Sequence, residues 1–181
     1  MTGFEEDIEQ CIQALRNGGL ILYPTDTVWG IGCDATNADS VSSLYALKRR
    51  ADEKAMIILL ADEMDIPRYV TEPNPKVFDY IKGIHKPTTF VYEGGVGLAE
   101  NVIQKDGSVA IRITEDPFCK KLIRKFGKPI ISTSANVSGY PAPSVFGDID
   151  VLIKNGVDYI VQHRQDDLTP AVPSAVVKWN A

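Results

Sequence analysis

Cysteine is scarce in this chain of 181 residues: three occur, at Cys11, Cys33 and Cys119, with no C-x-x-C spacing. An odd, scattered set excludes a disulfide framework and a zinc site, and fits a reducing cytoplasm. Histidine is scarcer still. His85 and His163 stand alone, with no neighbouring serine or cysteine arranged as a nucleophile pair, so no catalytic role is expected of either. No apolar run approaches the ~18 residues of a membrane span, so no membrane association is expected. The opening MTGFEEDIEQ is acidic and lacks the apolar core of a signal peptide, and a cytoplasmic chain is the expectation. Repeats and low-complexity tracts are absent. Positive charge is in deficit, with 19 Lys and Arg against 24 Asp and Glu and a net charge of −5. The molecule as a whole is therefore no magnet for nucleic acid, although a local basic patch remains able to bind phosphate. The glycine-rich EGGVG at 93–97 matches neither GxxxxGK nor GxGxxG and reads as a turn.

What remains is an ordinary globular composition, long enough for one domain with a real core. Ile8, Cys11, Ile12 and Leu15 recur at helical spacing within residues 4–17, and Gly18-Gly19 supplies a stop. Residues 20–23 read as a short buried strand ending in Pro24, followed by a glycine-punctuated turn at Gly30 and Gly32. Residues 39–49 read as a helix with Val41, Leu44, Tyr45 and Leu47 inward and Asn37 or Asp39 as cap. Residues 55–61 form an apolar strand, central in a sheet. A short helix over 75–81, strands at 88–92 and 108–113, a helix over Pro117–Phe126 and a strand at 129–132 follow. A helix at 148–155 and strands at 157–161 and 175–179 complete the pattern. This alternation predicts an α/β chain: a single domain, 1–181, with a twisted mixed β-sheet flanked by helices.

Four places attract a functional reading. Residues 48–54, KRRADEK, hold four cations in seven positions. The run is either a solvated helix end that complements the dipole or a polyphosphate clamp, with Arg50 forking onto phosphate and Lys48 and Lys54 as point charges. Thr25-Asp26-Thr27 is either turn chemistry or a binding loop at a strand exit, where ligands of α/β sheets sit. The run STSANVSG at 132–139 packs hydroxyls and amides after a strand and before Pro141 and Pro143. It reads as a plain Ser/Thr loop or as a rigid polar cradle. Arg112, inside the strand 109–113, shares a face with Ala110. It lies on a solvent face, or, if covered, needs an anionic partner such as a ligand carboxylate. Trp29 and Trp179 read as core or pocket walls.

The segments YPTDTVWGIGCDA from Tyr23, K-x-R with its following lysine at Lys48, Arg50 and Lys54, SVAIRI from Ser108 and PIISTSANVSGYPAPS from Pro129 resemble the YrdC-like family of L-threonylcarbamoyladenylate synthases, in its single-domain form. The resemblance implies a twisted α/β sheet with a concave, positively lined cavity. It implies a nucleotidyltransferase that makes threonylcarbamoyl-AMP and pyrophosphate from L-threonine, bicarbonate and ATP. The product would serve N6-threonylcarbamoyl modification of adenosine 37 in tRNA, with handover to a tRNA threonylcarbamoyl transferase complex. Carried over by motif, the catalytic cations are Lys48 and Arg50, and the ATP contacts are Lys48, Arg50, Lys54, Ser108, Asn136 and Ser144. The L-threonine contacts are Thr27, Arg112, Ser134 and Ser174. No protein metal site is implied; Mg2+ is expected through the ATP phosphates. The chain departs from the family pattern at His85-Lys86-Pro87, where a PGP-type turn is usual, at Pro173 and Ala175 around Ser174, and at Leu59, where some members carry histidine.

A second reading is an RNA-binding or ribosome-maturation module in which the same basic cavity holds a backbone phosphate, with weak RNA binding. It requires a long basic stripe, whereas one short cluster with acidic neighbours Asp52 and Glu53 is present. A third, a carbamoyl-transfer domain of hydrogenase-maturation type, normally belongs to a longer chain with zinc-finger and acylphosphatase-like parts.

Overall fold

The computed structural model describes residues 3–49 and 56–178. Helix α1, Glu5–Arg16, buries Ile8, Cys11, Ile12 and Leu15. Strand β1, Ile21–Tyr23, is fully buried. The expected turn at Gly30 and Gly32 is instead a strand, β2, Gly30–Gly32, paired antiparallel with β1. Gly32 is there because the strand is crowded. A Cβ on Gly32 would lie 2.7 Å from Tyr23 Cε1 and 2.8 Å from the Ile131 carbonyl oxygen, so a rule that reads glycine as a turn fails here.

Helix α2, Ala38–Lys48, starts where Asn37 accepts hydrogen bonds from the Asp39 and Ser40 amides and stops at Arg49, which is left-handed at φ 51°. Strand β3, Ile57–Leu60, leads into an unforeseen 3-10 turn at Glu63–Arg68. Helix α3, Lys76–Lys82, and strands β4, Thr88–Tyr92, and β5, Val109–Ile113, follow. Helix α4, Pro117–Phe126, is capped by Asp116, whose carboxylate accepts from the Cys119 amide, and ends at Gly127 with φ 81°. Strand β6, Ile130–Ser134, runs two residues past the expected end. The helix expected from 148 starts later, as α5, Val151–Gly156, because a 3-10 turn at Phe146–Asp148 precedes it and Asp150 caps it. Strands β7, Tyr159–Ile160, and β8, Ala175–Lys178, close the chain. Trp179, the expected end of the last strand, lies outside the described residues.

The eight strands form one mixed sheet in the order β7-β1-β2-β6-β3-β5-β4-β8. β3 is interior, parallel to β5 and antiparallel to β6, as its apolar composition predicts. The register places Thr89, Arg112, Leu59 and Ile130 in one cross-strand row, with Ile57 opposite Ser132 in the next and Ser134 opposite Gly30 beyond it. Residues two apart on a strand share a face, so Arg112, Ser132 and Ser134 lie along the same side of the sheet. β8 is an edge strand, largely exposed.

Candidate functional site

Lys48 is not on a solvated helix end. It is 2% exposed, and its Nζ donates to the Ser134 carbonyl at 2.5 Å. Its own carbonyl accepts from the Ser138 amide at 2.8 Å. A buried ammonium is held only where acceptors replace its water. The C-terminal turn of α2 is thus pinned to the polar segment 134–139, and the positive charge sits beneath it. Arg50 and Lys54, the other expected clamp cations, lie outside the described residues.

Above this contact opens a cavity of about 510 Å3 whose walls include Arg49, Asn136, Tyr140, Ser144, Asp148 and Asp150. Asn136 and Ser144, expected to act together, do meet here. The Asn136 amide nitrogen donates to the Tyr140 carbonyl at 2.7 Å and to that of Val137 at 3.1 Å, which fixes the side chain and leaves its buried Oδ1 without a hydrogen-bond partner. An oriented, unsatisfied acceptor on a cavity wall is a ready contact for a ligand N–H. Ser108 does not line this cavity. It closes a turn, accepting from the Gln104 amide at its carbonyl and donating its own amide to Asp106 at 2.9 Å, just ahead of β5.

Thr27 is held by its neighbours: its amide donates to Thr25 Oγ1 at 3.0 Å and the two hydroxyls lie 3.1 Å apart. A small cavity of about 50 Å3 joins Thr25, Thr27, Trp29 and Ser144 to Arg164. Ser144 therefore borders both cavities. Arg164, left-handed at φ 64°, pairs with Asp116 at 2.8 Å and donates to the Thr25 carbonyl at 3.1 Å. Sequence reasoning missed it because the Asp116 partner is 48 positions away.

Arg112 is 2% exposed, which removes the solvent-face reading. Its required anion is already supplied within the chain: Nη2 lies 3.4 Å from Asp26 Oδ1. The same nitrogen donates to Ser132 Oγ over a long 3.5 Å. The Asp26 contact lacks hydrogen-bond alignment, and both Asp26 Oδ1 and Arg112 Nε are buried without a hydrogen-bond partner. In the adjoining strand, Thr89 stands opposite Arg112 and its hydroxyl is 2.8 Å from that of Ser174. The departure around Ser174 therefore leaves its hydroxyl beside Arg112's row. Leu59, also opposite Arg112, is a fully buried apolar neighbour. A further cavity of about 610 Å3 borders Asp26, Thr88, Glu115 and the His85-Lys86-Pro87 segment.

The fold finds its counterpart in known proteins. The profile of the Sua5_yciO_yrdC family, described as telomere recombination, matches residues 13–181. The chain belongs to the Sua5/YciO/YrdC family. A threonylcarbamoyl-AMP synthase of Coxiella burnetii is 31% identical, over 98% of this chain and all of its own. One from Methylococcus capsulatus is 39% identical, over 77% of this chain and 75% of its own. P. abyssi Sua5, crystallised with L-threonine, superposes with a TM-score of 0.86 at 23% identity, over 97% of this chain. The chain spans about half, 51%, of that protein's length, and the likeness there is one of fold.

Burial shifts several further titratable groups of this Sua5/YciO/YrdC chain. Burial pushes the thiols of Cys11, Cys33 and Cys119 well up, helped by nearby carboxylates, so all three stay protonated and inert. Burial likewise raises Tyr23, whose hydroxyl donates to the Ile131 carbonyl at 2.9 Å. His163 is lowered, by burial first and then by Arg164, and its ring packs between Phe4 and Phe118. No helix among the described residues is long and apolar enough to cross a membrane.

Proposed function

We propose that this chain is a threonylcarbamoyl-AMP synthase, an ATP-using nucleotidyltransferase that converts L-threonine, bicarbonate and ATP into threonylcarbamoyl-AMP and pyrophosphate. One observation carries the reading. A buried arginine with an unpartnered Nε lies on the same sheet face as Ser132 and Ser134, and the chain runs on from Ser134 through Ala135 into the wall of the Asn136–Ser144 cavity. An amino-acid carboxylate site and a nucleotide-sized site thus share one polar track. The curated relatives that match this chain bear that synthase name.

The threonine amine takes up the carbon of bicarbonate with loss of water, giving a carbamate. A carbamate oxygen attacks the α-phosphorus of ATP, and pyrophosphate leaves. Nothing here needs a protein nucleophile; it needs positioning and charge stabilisation. In this reading Arg112 orients the threonine carboxylate, with Thr27, Ser134 and Ser174 around the substrate. Lys48 acts from beneath the 134–139 segment, where low dielectric extends the reach of its charge. Arg50 and Lys54 neutralise the triphosphate, and Ser108, Asn136 and Ser144 hold the nucleotide. Mg2+ would come with the ATP phosphates. The carboxylates of Asp148 and Asp150 on the cavity wall are oxygen donors of the kind it accepts. The product is handed in the cytoplasm to a tRNA threonylcarbamoyl transferase complex for modification of adenosine 37.

The RNA-binding alternative is disfavoured by charge pairing. On α4, Lys120, Lys121, Arg124 and Lys125 each pair with a carboxylate, from Glu115, Glu5, Asp62 and Glu9 respectively, which leaves no open basic stripe on that helix for a phosphate backbone. The test is pyrophosphate release from ATP by the purified protein in Mg2+, with and without L-threonine and bicarbonate. Release that requires both supports the synthase. Release indifferent to threonine in a folded, ATP-binding sample overturns it.

A further inference from the structure

Asp26 is the partner that sequence reasoning did not assign to Arg112, and its geometry is unusual for a structural counter-ion. One oxygen is anchored, accepting from the Glu115 amide at 3.3 Å. The other, Oδ1, faces the guanidinium at 3.4 Å yet makes no hydrogen bond, and it is buried. Across the pair, Arg112 Nε is equally unused. A pair evolved only to neutralise itself would close into the aligned, two-bond fork that arginine and carboxylate favour. Here each member keeps a buried site in reserve, one a donor and one an acceptor. An isolated unsatisfied group of this kind costs about as much as a lost hydrogen bond, so a ligand that fills both gains twice.

The ligand that fills both carries a negative and a positive group a single carbon apart: an α-amino acid. We propose that Asp26 binds the α-ammonium group of the substrate amino acid through Oδ1 while Arg112 takes its α-carboxylate. This rests on the synthase reading above and adds to it a residue that selects the zwitterion over simple carboxylic acids. Asp26 also borders the cavity of about 610 Å3, a space of amino-acid size next to the pair, and a ligand entering from it would take Oδ1 out of its present burial.

A ligand-by-variant comparison tests this. L-Threonine and 3-hydroxybutyrate, which lacks the amine, are titrated calorimetrically against the wild-type protein and Asp26→Asn. The wild type is expected to bind L-threonine at least about tenfold more tightly than 3-hydroxybutyrate, the discrimination of one charge-assisted hydrogen bond. In Asp26→Asn threonine weakens by a similar factor, whereas 3-hydroxybutyrate holds or tightens because Arg112 loses a competitor. If Asp26 only shields Arg112, both ligands tighten together in the variant, and the proposal fails. Should Asp26→Asn not fold, Asp26→Glu, which keeps the charge on a longer arm, replaces it, and loss of the threonine preference there supports the anchor. Equal binding of the two ligands by the wild type overturns the ammonium site while leaving the synthase reading intact. Binding of neither, by a protein that still binds ATP, overturns both.

Discussion

Removing Arg112 gives the sharpest test of how the centre of the sheet is balanced. In Arg112→Gln the Asp26 carboxylate keeps its place, with 14% of its side chain exposed, but loses its positive neighbour. Breaking a buried ion pair by deleting one partner costs about 3–5 kcal/mol when burial is complete. Asp26 retains a little solvent and the pair lacks an aligned hydrogen bond, so a loss of about 2–4 kcal/mol is expected here. For a chain of this size that lowers Tm by roughly 5–15 °C, at roughly 2–4 °C per kcal/mol. The double variant Arg112→Gln/Asp26→Asn removes both charges and leaves two amides able to pair with each other. Most of the lost stability should return, while the capacity to bind L-threonine should not. Thermal unfolding followed by circular dichroism, in parallel with threonine titration, reads both quantities. A single variant as stable as the wild type, or a double variant no better than the single, would refute the claim that Arg112 is balanced chiefly by Asp26.

Two further outcomes follow from the same geometry. Gly32→Ala pushes a methyl against the Ile131 carbonyl, which cannot swing away as a side chain would, and should cost about 1–3 kcal/mol in urea unfolding; an unchanged midpoint would show that β2 can shift without penalty. Asn136→Ala removes the free Oδ1 from the larger nucleotide-side cavity, so the KM for ATP should rise about tenfold with threonine affinity unchanged, and steady-state pyrophosphate assays would expose the opposite pattern.

Much of this molecule follows from local chemistry. The α1 periodicity, the Asn37 and Asp116 caps, the stop at Gly127 and the apolar β3 are all properties of a few consecutive residues, so the α/β class and most elements are legible without coordinates. The hydroxyl-rich strand exits and the K-x-R run stand out as candidate segments for the same reason. Other features required the fold. Gly32 suits its strand because Tyr23 and the Ile131 carbonyl crowd it across the sheet, a fact invisible to a turn propensity. Lys48 reads as a solvated cation until the 134–139 segment closes over it. Arg112 is on an alternating strand either way; only the layers above the sheet decide that it is buried, and only the return of the chain puts Asp26, 86 positions earlier, beside it. Periodicity is set by neighbours within a turn or two, whereas desolvation and charge pairing are set by whatever the chain brings back from afar, and in this protein it is desolvation and charge pairing that shape the candidate site.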